Sequence, residues 1–230
     1  MRLLISSLFL LLFGSLMAQS GSSLWTMKSR AWVESQGQQM YVQPATGRYA
    51  TLDLQEVRRQ LPQGGNGTLL IPGPDGVEVA YAVIWSPSAE AGYFERHPQT
   101  GTFRVQALHD RTIKGRIDYN EKGFHAFIHH QGRTLMIDPV FVDRDDVYAI
   151  YFKDEYYDET TERPAFNCLL EEEPDVSDPV EVQSAPPVSS LRSGSVVLKT
   201  YRIAISATGE YTNFHGGKAA ASAEIVTAVN

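Results

Sequence analysis

The sequence predicts a mainly antiparallel β domain, a sandwich or an open barrel with two short helices, followed by the opening of a truncated α/β unit. Three observations carry this. From Leu24 to about Tyr157 apolar residues alternate with polar ones, and turn residues interrupt the alternation about every eight to twelve positions, the pattern of short half-buried strands. After Asp154 acidic residues, proline and serine replace that pattern. Beyond Val197 a short alternation gives way to a helical stripe.

In chain order, Arg2 precedes an apolar run from Leu3 to Met17, and Ala18-Gln19-Ser20 supplies small residues for cleavage. Residues 1–18 are therefore expected to be an export signal, not a buried helix. The run is shorter than the ~20 residues that span a bilayer, so no membrane span is expected. The mature chain is expected to be secreted, in a periplasmic or extracellular setting.

Residues 19–155 form the expected β-rich domain. Met40 to Gln43 and Arg48 to Leu52 read as strands around Pro44-Ala45-Thr46-Gly47. Asp53-Leu54-Gln55-Glu56 has the spacing of a capping box, with Leu54, Val57 and Leu61 on one face and Pro62 as the stop. Thr68 to Ile71 and Val77 to Trp85 flank the turn Pro72-Gly73-Pro74-Asp75-Gly76. Ser86-Pro87 predicts a second helix reaching His97. Thr102 to Leu108, Thr112 to Tyr119, Phe124 to His129, Arg133 to Ile137 and Val147 to Lys153 follow as strands, and two of their connections, Asn120 to Gly123 and His130 to Gly132, are short enough for an antiparallel meander.

Residues 156–196 read as an acidic, Pro- and Ser-rich linker. Between Asp154 and Glu181 there are eleven acids and one base, Arg163, so the net charge of −7 is concentrated there and the rest of the chain stands near +3. That remainder is too weak and scattered for a nucleic-acid footprint. Gly64-Gly65-Asn66-Gly67 lacks the Lys-Ser/Thr of a phosphate loop and reads as a turn. A linker of this composition invites proteolysis, and a maturation cut between Glu171 and Lys199, with Arg192 as one candidate, is expected.

Residues 197–230 read as the first strand and helix of a further domain. Val197, Tyr201, Ile203 and Ile205 recur at even spacing, Thr208-Gly209 and His215-Gly216-Gly217 read as breakers, and Ala221, Ile225 and Val229 with Ala219, Ala223 and Val226 make a helical stripe from Lys218. Strand and helix alone bury too little to fold, so the chain is expected to be the N-terminal part of a larger protein.

This stretch resembles the opening of the catalytic domain of reprolysin-like (adamalysin and ADAM-type) zinc metallopeptidases, above all secreted bacterial ones. The resemblance rests on Tyr201-Arg202-Ile203-Ala204-Ile205, Thr208-Gly209-Glu210-Tyr211, Phe214-His215-Gly216-Gly217 and the helix Glu224 to Asn230. Gly123-Phe124-His125-Ala126-Phe127-Ile128, Gly132, Ile137-Asp138-Pro139 and Tyr148 to Lys153 are similar to the pro-region before such domains. The resemblance implies a metzincin-like α/β catalytic domain, with zinc held by three histidines, a carboxylate as proton acceptor, and water attacking a peptide carbonyl of protein or peptide substrates. His-Glu-x-x-His occurs nowhere in these residues, so this segment alone is expected to bind no cofactor and to be inactive, serving as the latency and folding pro-region for the catalytic domain in cis.

Cys168 is the single cysteine. In several zinc proteases a pro-region cysteine ligates the catalytic zinc, which makes Cys168 a candidate inhibitory ligand of the latent form, although Phe166-Asn167-Cys168-Leu169 differs from the Lys-x-Cys-Gly type of ADAM pro-regions. A bridge to a later cysteine and an inert thiol remain the other two readings. His125 and His129 are four apart, but their neighbours predict a strand and position 126 is Ala, not the Glu of a zinc-protease helix. His130, His215 and the cluster Asp143, Asp145, Asp146 read as ordinary strand, loop and turn residues. Two readings of another class stand beside the precursor: a stand-alone extracellular β-rich binding module, and a pro-region-derived protease inhibitor.

Overall fold

The structure, a computed structural model, describes residues 23–158 and 203–230. Nine strands form one antiparallel sheet: β1 (Trp25–Lys28), β2 (Arg48–Leu52), β3 (Asn66–Pro72), β4 (Glu78–Trp85), β5 (Gly101–Ala107), β6 (Lys114–Asn120), β7 (Gly123–His130), β8 (Arg133–Pro139) and β9 (Val147–Phe152). Their order is β1-β2-β9-β8-β7-β6-β5-β4-β3, so the chain lays down β3 to β9 as a meander and β1 and β2 return to close its far side. Of the two architectures expected, the open curled sheet is the one found.

The curl follows from where the apolar residues point. Every strand sends alternate side chains to one inner face, and Trp25, Leu52, Ile71, Tyr81, Phe103, Ile117, Phe124, Ile137 and Ile150 belong to the same buried cluster. Helix α2 (Leu54–Gln60) fills that face with Leu54, Val57 and Leu61. Asp53 caps it, accepting the Glu56 amide at 3.0 Å. The two edges of the sheet come together without a ladder: the Trp25 indole N–H donates to the Leu70 carbonyl at 2.9 Å, and the Arg48 guanidinium donates to the Pro74 carbonyl at 2.8 Å.

A second, smaller cluster lies on the outer face, where Val33, Met40, Tyr49, Val140, Phe141 and Ala149 pack together. It is covered by α1 (Arg30–Glu34), a helix the sequence reading did not assign. Ser29 caps α1 by accepting the Trp32 amide at 3.1 Å, and Val33 is its one buried residue. One buried side chain in five residues is too little periodicity to read as a helix. Strand β1 escaped for the same reason.

Three further expectations are corrected. Met40 to Gln43 is not a strand; the Tyr41 and Val42 amides both donate to the single carbonyl of Val140, which cannot build a ladder. The second helix, α3 (Ala91–Arg96), starts later than Ser86-Pro87 because the Ser86 amide bonds the Thr102 carbonyl at 3.0 Å and the Ser88 amide the Thr102 hydroxyl at 3.2 Å. Those bonds hold Ser86 to Ser88 along β5. Thr208-Gly209 starts a helix, α4 (Gly209–Phe214), with the Thr208 hydroxyl accepting the Tyr211 amide at 3.3 Å.

The expected strand after Val197 is not found where it can be seen. Ile203 to Thr208 has no regular structure, Ile203 and Ile205 are exposed, and among the described residues no strand pairs with it. Alternation without a neighbouring ladder has no face to bury. Residues 1–18, most of the linker, Cys168, the expected cleavage window and Val197 to Arg202 lie outside the described residues.

Candidate functional site

Helix α5 (Lys218–Val229) lies on the outer face of the sheet, and the seat beneath it is built by strand register. Asp118 of β6 pairs with His125 of β7, and the same register carries His125 opposite Asp138 of β8. The three side chains form a carboxylate–imidazole–carboxylate row across neighbouring strands, about 5 Å apart per step. Asp118 is buried, and His125 Nδ1 lies 3.2 Å from its Oδ2.

The helix answers with polar groups. Thr227 Oγ1 donates to Asp118 Oδ2 at 2.6 Å, and Asn120 Nδ2 donates to Glu224 Oε1 at 3.1 Å and to Thr227 Oγ1 at 3.0 Å. Asn230 is held through both ends of its amide. Its nitrogen donates to the Ile117 carbonyl at 3.0 Å and to Asp118 Oδ1 at 3.2 Å, while its oxygen accepts from Arg116 Nε at 2.8 Å and Ser88 Oγ at 2.7 Å. The remaining Arg116 nitrogens are anchored by Ser86 and Ser88. Apolar contact is limited to Val226 against Tyr93 and Phe94, beside the buried Ala221 and Ala223.

Of the stripe expected for α5, Ala221, Ala223 and Val226 are the buried residues, whereas Ala219 and Val229 are exposed and Thr227 and Asn230 take their place against the sheet. The strand surface offers Asp118, Asn120 and Arg116, and a buried polar group must be matched by hydrogen bonds. The helix is therefore turned so that its own polar residues meet them.

Charge in the seat is tightly coupled. Burial works against a positive His125, but the hydrogen bond to and charge of Asp118, with Asp138 and Glu224 nearby, outweigh it and push the imidazole up to about 9. Burial raises the Asp138 carboxyl above its usual range, although His125 and the Tyr151 hydroxyl, which donates to it at 2.8 Å, pull the other way. Burial lowers the Arg116 guanidinium, close to Arg104. A cavity of about 460 Å³ opens beside the row, with Asp138 and Glu224 at its polar side and Tyr41, Tyr151, Tyr211 and Phe214 among its aromatic walls.

The chemistry this arrangement supports is binding. The Thr227 hydroxyl donates to the carboxylate and not to the imidazole, so the row lacks the nucleophile–base order of a hydrolytic triad.

Among the residues singled out from sequence, His125 and His129 stand on strand β7 as expected, and only His125 enters the seat. His215 follows α4 and lies against Tyr211, ring centroids 4.3 Å apart and the planes tilted by 52°. The acidic turn is internally paired, with Arg144 bonded to Asp146 at 2.7 Å and Lys122 3.5 Å from Asp143. Asp118, Asn120, Arg116 and Asn230 were not singled out. The signal was present in the two short hairpin loops: pairing Asn120 with Gly123 places Asp118 against His125, and pairing His130 with Arg133 places His125 against Asp138.

Fold and seat together define a β-rich domain that grips a helix on the outer face of an open curled sheet. No family model, no curated protein and no solved structure matches the chain. Among the described residues no group of three or more His, Cys, Asp or Glu side chains is arranged to hold a metal ion, and no helix is long and apolar enough to cross a membrane.

Proposed function

We propose that residues 19–155 are the latency and folding pro-region of a secreted zinc-dependent endopeptidase, and that residues 197–230 open its metzincin-like catalytic domain. One observation carries the reading: α5, part of the stretch with the reprolysin-like resemblance, is held by partly buried hydrogen bonds to Arg116, Asp118 and Asn120 of the β domain. A domain that binds a helix from the opening of its neighbour through fixed polar groups offers that helix a template before the remaining core has formed, which is what assisted folding requires. In this reading the zinc is held by histidines of the catalytic domain outside the described residues, with Cys168 as the candidate inhibitory ligand.

The coding frame past residue 230 is expected to contain His-Glu-x-x-His-x-x-Gly-x-x-His. The full-length precursor is expected to yield active, zinc-containing peptidase, and a precursor lacking residues 19–155 to yield little or none. Cys168→Ser is expected to weaken latency. Absence of the motif, or an undiminished yield of active enzyme from the truncated precursor, overturns the reading.

A further inference from the structure

We propose that the positive charge of His125 latches α5 to the sheet, and that its loss in alkaline solution releases α5 while the sheet stays folded. This holds whether or not the whole protein is a peptidase, because it concerns contacts within this chain.

The geometry sets an electrostatic problem that one proton solves. Asp118 on β6 and Asp138 on β8 flank His125 on β7, and Glu224 of α5, which accepts from Asn120, lines the cavity beside the same row and adds its charge there. Three carboxylates around one imidazole in a site closed off by a helix repel strongly unless the imidazole is charged. Among the described residues no other cation is bonded to these carboxylates. The Arg116 charge acts on Asp118 from a distance, but its hydrogen bonds go to Ser86, Ser88 and Asn230, and Arg104 stands behind it on β5. Lys122, in the β6–β7 turn, sits against Asp143. From β9 the Tyr151 hydroxyl donates to Asp138, and α4 brings Tyr211 and His215 only to the rim of the adjoining cavity.

The sign follows from the two states of the seat. With α5 in place the site is low in dielectric, and attraction to the carboxylates outweighs the burial of His125, whose pKa stands at about 9. With α5 gone the row faces water, where an exposed Asp–His pair shifts the imidazole only slightly. The closed state therefore binds the proton more tightly. Closure is fully supported below the ordinary histidine value near 6.5 and weakens as pH rises towards about 9.

Release is local because the two sides of the sheet are held differently. The inner cluster draws on all nine strands and is apolar. By contrast, α5 buries only Ala221, Ala223 and Val226 and depends on the polar row for the rest.

Val226 provides the readout, since its methyls lie against Tyr93 and Phe94 and carry ring-current shifts only when α5 is seated. Methyl NMR of the full chain between pH 6.5 and 9.5 is expected to show the seated-to-released ratio fall about a hundredfold, as pKa values of about 9 seated and near 6.5 released require, with Ile117 and Ile137 methyls of the sheet unchanged. His125→Gln is expected to show the low ratio at both pH values. Should that variant fail to fold, Glu224→Gln, which removes the carboxylate on the helix side and leaves Asp118 and Asp138, is expected to reduce the pH dependence measurably without abolishing it. A Val226 signal that does not move, movement in step with Ile117 and Ile137, a His125→Gln protein that titrates like the parent, or a Glu224→Gln protein that does so, each overturns the latch.

Discussion

At the scale of single residues, the sheet tolerates little at points where strands approach closely. A Cβ added to Gly115 of β6 would stand 2.1 Å from the Phe127 carbonyl oxygen and 2.6 Å from Ile128 Cα, both backbone atoms that cannot step aside. Gly115→Ala is expected to cost about 2–4 kcal/mol in urea denaturation, through local separation of β6 from β7. A loss below about 0.5 kcal/mol would mean that the two strands part more easily than their ladder implies. Glycine in a strand was visible in the sequence, but nothing in the sequence said which backbone it faced. Asp118 and His125 show the opposite case. Each looked like an ordinary polar residue of a half-buried strand, yet the loop lengths around them already determined that they stand opposite each other. Their burial was not legible, because it depends on a helix more than a hundred positions further along the chain.

At the scale of elements, helices were legible where a cap and an apolar stripe coincide. Asp53 with Glu56, ahead of Leu54, Val57 and Leu61, marked α2 correctly, and its stripe proved to be the plug of the inner face. Asp53→Ala is expected to lower stability by about 1 kcal/mol, seen as a lower urea midpoint with an unchanged slope. An unchanged midpoint would show that packing alone holds the helix. Where a cap came without a stripe, as at Ser29 and Thr208, the helices α1 and α4 were missed. The described end of the strand expected from Val197, Ile203 to Thr208, shows the limit of alternation as a signal: strands exist only in pairs, and no described strand lies beside it. The stripe of α5 holds at Ala221, Ala223 and Val226 but not at Ala219 and Val229, because much of the partner surface is polar and draws Thr227 and Asn230 toward it.

At the scale of the whole molecule, the open sheet closes on itself through side chains. The Trp25 indole reaching the Leu70 carbonyl is a bond between the two outermost strands, and Trp25 also packs edge-on against Phe124 and Tyr148. Trp25→Phe keeps most of the aromatic contact and removes the donor. It is expected to cost about 1–2 kcal/mol and to speed amide exchange in β1 and β3 ahead of β7 and β8. Uniform acceleration over all strands would show instead that the edges do not open separately. Closure by such bonds leaves the outer face free for α1 on one side and α5 on the other. What the sequence determined by itself was the number and order of the meander strands, the inner helix and the register of the short hairpins, because alternation, capping and loop length act between residues close together in the chain. What only the tertiary structure decided was the curl that brings β1 to β3, and the seat that turns an Asp–His–Asp row into a buried grip on α5. Both depend on contacts between distant segments, and burial, which sets the energy of a charge, is a property of those contacts alone.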